Sequence, residues 1–211
     1  KAHAMRAAPG NRFVYATSLG GGVVMQFGFD AASGALTPLA PRDIAVRDGA
    51  GPRHLAFHPD GRFVYLLNEL DASVDVLAID PASGVLNGVQ SLSTLPPGFA
   101  GEPWAAELRL TPDARFLYTS ERRSSTLAGF AVGAASGRLS PIGHWPTQAQ
   151  PRGFAISPTG RHLIAAGQLS HAVGVFAIDA RSGALSPCDE HAVGRNPTWV
   201  EAIALPSTID L

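Results

Sequence analysis

The chain has one cysteine, Cys188, so no internal disulfide can staple it, and a reducing cytoplasm is compatible with it. It has no excess of positive charge. Sixteen Lys and Arg stand against seventeen Asp and Glu, for a formal net charge of −1 and a pI of about 6.7. Nothing there would neutralise a run of backbone phosphates, so nucleic acid is not an expected partner. No hydrophobic run is long enough for a membrane-spanning segment. No signal peptide is visible, and because the first residue is Lys1 rather than Met, the expectation is a start away from the natural one or after processing. GxxxxGK[ST], GxSxG and HExxH are all missing, so phosphate-loop, serine-elbow and zincin chemistry have no support. Cys188, Asp189, Glu190 and His191 are adjacent metal-ligand types in an expected outer strand. A zinc site needs three or four convergent ligands, so no metal and no cofactor is expected.

What is present is glycine (23), proline (17) and a 45% hydrophobic composition, which suits many short strands joined by tight turns around a sizeable core. The order in these residues is a repeat. PGNRF at 9–13, PDGRF at 59–63, PDARF at 112–116 and PTGRH at 158–162 align, with prolines 50, 53 and 46 residues apart. A second landmark follows each: SGAL at 33–36, SGVL at 83–86, SGRL at 136–139 and SGAL at 182–185. Every proline-to-glycine offset is 25, so all length variation falls between units.

Each unit reads as four strands by alternation and by β-branched and aromatic content, with glycine turns between them. In the second unit these are HLAFH (54–58), FVYLLN (63–68), VDVLAID (74–80) and VQSLST (89–94). A four-stranded antiparallel unit at this period is a β-propeller blade. A β-sandwich would not require the same offset four times. The expected organisation is all-β: one propeller region over 1–211, with blades at about 1–51, 52–103, 104–150 and 151–196 and a closing strand at 197–205. Four blades plus one strand fit either a closed four-blade ring or the C-terminal part of a larger propeller.

Equivalent positions in a propeller lie at one height around the axis. Six residues before each landmark proline stand His3, Arg53, Ala106 and Arg152; ten after it stand Leu19, Glu69, Arg122 and Gln168. These starts of first strands and ends of second strands should share one mouth of the channel. A cationic rim with a carboxylate suits a small anionic ligand, because Arg offers paired donors to carboxylate or phosphate, and Glu69 could act as a base or orient its neighbours. The plainer alternative is that Arg53 and Glu69 are an interblade salt bridge. His58 reads as structural, Glu121–Arg123 as rim or solvated turn, and Trp104 and Trp199 as packing rather than substrate-stacking residues.

AGPRHLAFHPDGRFVYLLNELDASVDV (50–76), WAAELRLTPDARFLY (104–118), QPRGFAISPTGRHLIAAGQLSH (150–171) and GRNPTWV (194–200) strongly resemble the bacterial β-propeller 6-phosphogluconolactonases. The resemblance runs essentially from end to end. It implies a seven-bladed parent of which this chain is the C-terminal portion. It also implies hydrolysis of a small anionic sugar lactone, 6-phosphoglucono-δ-lactone to 6-phosphogluconate in the pentose phosphate pathway, in the cytoplasm and without a cofactor. The related fungal carboxymuconate lactonizing enzymes carry a His, an Arg, a Glu and a second Arg on the rim. Motif by motif these fall on His3, Arg53, Glu69 and Arg152 as catalytic residues, with Glu69 or His3 expected to activate water and the arginines to hold the oxyanion or the phosphate. His54, Asn68, Gln168 and His171 match the bacterial pattern as substrate-binding residues. SLGGGVVM (18–25) and SERR (120–123) depart from it. The alternatives are an isomerase acting on carboxymuconates, a non-catalytic propeller platform, and an inactive fragment.

Overall fold

The computed structural model of the chain describes residues 1–205. Sixteen strands form four four-stranded antiparallel sheets, each built from consecutive strands. Blade 1 holds β1 (Ala2–Ala7), β2 (Phe13–Ser18), β3 (Val23–Asp30) and β4 (Ala35–Ala45). Blade 2 holds β5 (Pro52–Phe57), β6 (Phe63–Asn68), β7 (Ser73–Ile79) and β8 (Leu86–Ser93). Blade 3 holds β9 (Ala105–Leu110), β10 (Phe116–Glu121), β11 (Thr126–Val132) and β12 (Leu139–Pro146). Blade 4 holds β13 (Pro151–Ile156), β14 (His162–Gly167), β15 (Ala172–Ile178) and β16 (Leu185–Ala192). The first strands are innermost, with β5 beside β1 and β9, and β9 beside β13.

Three apolar layers join the blades in chain order. Tyr15 and Val24 pack with Leu55, Val64 and Leu66; Tyr65 and Val76 with Leu108 and Leu117; Tyr118 and Leu127 with Phe154 and Leu163. β7 is buried at every position but one, whereas β15 alternates between buried and part-buried and β3 is buried at only two of its eight positions. Sheets of the middle blades are therefore covered on both faces and those of the end blades mainly on one. Among the described residues the blades form an open arc, so the closed four-blade ring is not the arrangement found.

The two sequence landmarks meet at each joint, the first of one blade against the second of the next. The Tyr65 hydroxyl of blade 2 donates to the Gly137 carbonyl of blade 3 at 3.0 Å, and Tyr15–Gly84 and Tyr118–Gly183 repeat this at 2.6 and 2.7 Å. Phe63 lies directly on Gly137, where a Cβ would meet its ring and where φ is +65°, a left-handed conformation that favours glycine. Arg62 completes the joint by donating to the Ala134 carbonyl at 2.9 Å. In blade 4 the Phe and Tyr positions are occupied by His162 and Ile164.

Each inner strand begins with a β-bulge. Pro52 faces Asn68 but His54 faces Leu67, so Arg53 is the extra residue; Arg152 is extra in the same way between Pro151 and Gly153. A bulge breaks strict alternation and re-aims side chains. It lets the neighbours Arg53 and His54 both turn toward the channel, where a regular strand would send one of them away.

The expected closing strand at 197–205 carries no strand assignment. The segment lies against blade 4 instead, with the Thr198 carbonyl so close to Gly153 that a Cβ there would come within 2.8 Å. No second strand follows to form a ladder beside it among the described residues.

Candidate active site

At the bulges, one layer of polar side chains gathers around a cleft of about 220 Å³. His3, Arg53, His54, Glu107, Arg152 and Trp199 line it, together with Thr198. Arg53 is its most constrained member, at 3% exposure. Its Nε donates to Glu69 Oε2 at 2.6 Å, and one terminal nitrogen donates to the Ala106 carbonyl across the blade joint. The same nitrogen lies 3.1 Å from the His54 ring nitrogens.

Glu69 is clamped. Oε2 also meets Arg122 at 3.1 Å, and Oε1 accepts from the Trp104 indole at 3.1 Å. Burial alone would raise its pKa; Arg122 and Arg53 outweigh burial and hold the carboxylate below its ordinary value. Arg122, 5% exposed, is itself lowered to about 10 by burial, although Glu69 pulls it back up. Its guanidinium stacks 3.7 Å from the Trp104 ring centroid. A carboxylate so engaged is an anchor for two guanidiniums and a poor proton acceptor. Of the two residues expected to activate water, Glu69 or His3, these contacts favour a positioning role for Glu69.

A second carboxylate takes a different place. Glu107, 4% exposed, lies 2.9 Å from His54 Nδ1. Burial raises its pKa, but the hydrogen bond from His54 and the positive charge of Arg109 prevail and keep it below its ordinary value. With Nδ1–H donating to Glu107, His54 Nε2 is left as an acceptor, a tautomer assigned from the network. Glu107 escapes a motif search because no acidic motif surrounds it. Its one sequence signal is register: it stands five residues before Pro112, as His54 stands five before Pro59.

The structure brings His3, Arg53, His54 and Arg152 to one cleft and places Glu69 directly behind Arg53. His3 sits with its ring centroid 4.9 Å from that of His54. Burial of the ring, then the positive charge of Arg53 and the nearness of His54, lower its pKa to about 4, although the residue keeps a solvent-exposed side. At neutral pH His3 is an uncharged donor–acceptor. A lowered histidine pKa has a signed consequence: between about 6.5 and about 4 the unfolded chain binds a proton that the folded chain refuses. The stability present above pH 6.5 is therefore lost as pH falls through that window. His3→Gln should flatten the melting temperature against pH between pH 6.5 and 4, and a variant curve parallel to the parent would contradict this.

Three expected substrate-binding residues are elsewhere. Asn68 precedes Glu69 and points the opposite way, as strand neighbours do. Its amide donates to Ser73 Oγ at 2.8 Å and Asp75 Oδ2 at 2.7 Å, in a network that Arg47 of the β4–β5 connection joins through Asp71 at 2.9 Å. Gln168 donates to Asn196 Oδ1 at 3.0 Å, and the Asn196 backbone amide donates to His171 Nδ1 at 3.0 Å. Gln168 and His171 thus tie down the turn that delivers Thr198 and Trp199 to the cleft. Glu121, also expected at the rim or a turn, fixes the chain by accepting from the Trp104 and Ser124 amides at 2.6 and 2.5 Å. Cys188, Asp189, Glu190 and His191 lie exposed on β16, and no three metal-ligand side chains converge among the described residues.

A family model described as "Lactonase, 7-bladed beta-propeller" matches residues 1–202. The chain belongs to this lactonase family. Within it, the chain is 44% identical to the 6-phosphogluconolactonase of Pectobacterium carotovorum over 203 residues, 96% of this chain and 61% of that protein. It is 41% identical to the 6-phosphogluconolactonase of Serratia proteamaculans, with the same coverage. Among solved structures, the Pseudomonas aeruginosa periplasmic gluconolactonase PpgL superposes with a TM-score of 0.89 at 34% identity, over 97% of this chain and 57% of that one. This lactonase-family chain spans about three-fifths of the length of the curated relatives it matches. No helix in its described residues is long and apolar enough to cross a membrane.

Proposed function

We propose that these blades carry a lactone-opening site and that the chain hydrolyses 6-phosphoglucono-δ-lactone to 6-phosphogluconate. The observation that supports this best is the His54–Glu107 pair at 2.9 Å, set beside Arg53 in a cleft whose other walls include His3 and Arg152. Water on the lactone carbonyl must lose a proton while negative charge grows on the carbonyl oxygen. His54 Nε2 takes the proton, with Glu107 fixing the ring through Nδ1. Arg152 and the uncommitted terminal nitrogen of Arg53 face the developing oxyanion. When the tetrahedral intermediate collapses, the C1–ring oxygen bond breaks. The proton on His54 passes to that oxygen, which leaves as the C5 hydroxyl, and C1 becomes a carboxylic acid that ionises to the carboxylate, releasing the second proton of the attacking water to solvent. Glu69 acts through Arg53 and Arg122 by holding them in place.

The names of the 41–44% identical relatives support the phosphorylated sugar lactone as substrate. A phosphorylated lactone does not diffuse across a membrane, so the same proposal places the enzyme in the cytoplasm, where such an ester is made.

The test is pH-stat hydrolysis by this chain of fresh 6-phosphoglucono-δ-lactone, with unphosphorylated gluconolactone and a carboxymuconate alongside. Proton release from the phosphorylated lactone above its spontaneous rate is the expected result. No acceleration would overturn the proposal, and conversion of the carboxymuconate alone would make the protein an isomerase.

A further inference from the structure

Below the rim, a second cleft of about 370 Å³ continues along the inner strands, and His54, Glu107 and Trp199 line both. Its charged residues beyond those are Arg6 on β1 and Arg109 on β9. The two occupy the same register, Arg6 opposite Tyr15 and Arg109 opposite Tyr118, each three residues before its landmark proline. His54 and Glu107 stand five before it, so the second layer lies about 7 Å further down the strands, two residues at roughly 3.3 Å each.

Arg109 is the unusual group there. Its side chain is 25% exposed, yet its buried Nε has no hydrogen-bond partner among the described residues. One terminal nitrogen forms an ion pair with Glu107 Oε2 at 3.6 Å, longer than a hydrogen bond, and its Cζ lies 5.4 Å from the Trp199 ring centroid. Arg53 and Arg122, by contrast, have carboxylate and carbonyl acceptors. A largely buried guanidinium carries five donors in a fixed fork, and such donors are costly to leave unmade. Its guanidinium lies against Trp199, and Arg109 lines the cleft that Arg6 also lines.

We propose that Arg109, with Arg6 across the cleft, is the subsite for the phosphate ester of the substrate, and that the rim arginines are thereby left to the lactone carbonyl. This rests on the sugar-lactone function proposed above. The phosphate sits at the far end of the molecule from C1, so a phosphate in the lower layer lets C1 lie level with His54. Arg is suited to this because two parallel N–H donors match two phosphate oxygens.

Two measurements test it. The first is the ratio of kcat/KM for 6-phosphoglucono-δ-lactone to that for gluconolactone. Arg109→Gln should lower this ratio at least tenfold, and Arg6→Gln, at an exposed position that does not threaten folding, should lower it severalfold. The second is calorimetric binding of 6-phosphogluconate against gluconate, which needs no turnover. Arg109→Gln should erase most of the preference for the phosphorylated acid. If the parent protein prefers neither acid, or if Arg109→Gln lowers the melting temperature and leaves both ratios unchanged, the subsite is wrong and Arg109 only packs on Trp199. If the acids are discriminated through Arg109 but neither lactone is hydrolysed, the subsite stands and the lactonase proposal falls.

Discussion

Glu69→Ala is expected to lower the stability of the chain by about 3 kcal/mol, the low end for breaking a buried ion pair, because the cleft admits some water. The size follows from what would be left behind. The Arg53 and Arg122 side chains are each 4% exposed, and Glu69 Oε2 is the carboxylate oxygen that both of them share. Without it the two guanidiniums repel one another in a site that also contains Arg152, and the Trp104 indole loses its acceptor. Because Arg122 and Trp104 belong to blade 3 and Glu69 follows β6 of blade 2, the loss falls on the joint between the blades. Denaturant unfolding of the parent and Glu69→Ala checks this, with Glu69→Gln as the variant that keeps volume and one acceptor and should lie between them. A Glu69→Ala protein within 1 kcal/mol of the parent would show that the cluster is hydrated and weak.

That expectation differs from a reading of Glu69 as the base, and the difference marks where the sequence stops being informative. The blades were legible because a 25-residue offset, repeated four times, leaves few architectures open. The landmarks turn out to be contact points: Tyr65 after the first landmark of one blade meets Gly137 in the second landmark of the next. The height of the rim residues was legible too, since a repeat puts equivalent positions at equal depth. Direction was not. Asn68 and Glu69 are neighbours with equal claims on paper, yet one faces the outer strands and the other the channel. Arg53 and His54 are also neighbours, and they share a side because a bulge intervenes. Nothing in GPRH announces that bulge. Glu107 and Arg109 lie in WAAELRL, a stretch that reads as an ordinary strand until β9 is seen to face the same cleft as β5. Gln168 and His171 have the polarity of binding residues, but a turn with Asn196 at φ +57° needed partners, and they supply them.

His54→Gln is expected to reduce kcat by about a hundredfold to ten-thousandfold above the spontaneous background, the usual range for loss of a positioned general base. The substituted amide fills the same space without accepting a proton, so the loss should fall on kcat rather than on KM, and the melting temperature should change little. Glu107 touches no substrate in this scheme. It acts by fixing the His54 ring through Nδ1, which makes it a positioning residue with a signature of its own. Glu107→Gln should lower kcat, and adding it to His54→Gln should cost nothing more, because a residue that works through another has no effect once the other is gone. Independent effects that multiply would instead give Glu107 a separate role. The pH profile discriminates further: the acid limb of kcat/KM reports the base in the free enzyme, so it should vanish in His54→Gln and persist in His3→Gln. His3, with its pKa near 4, is uncharged across the neutral range and a far weaker base there. If His3→Gln abolished the limb and His54→Gln left it intact, the proton would be moving through His3, and the Glu107 pair would reduce to a buried support for Arg53.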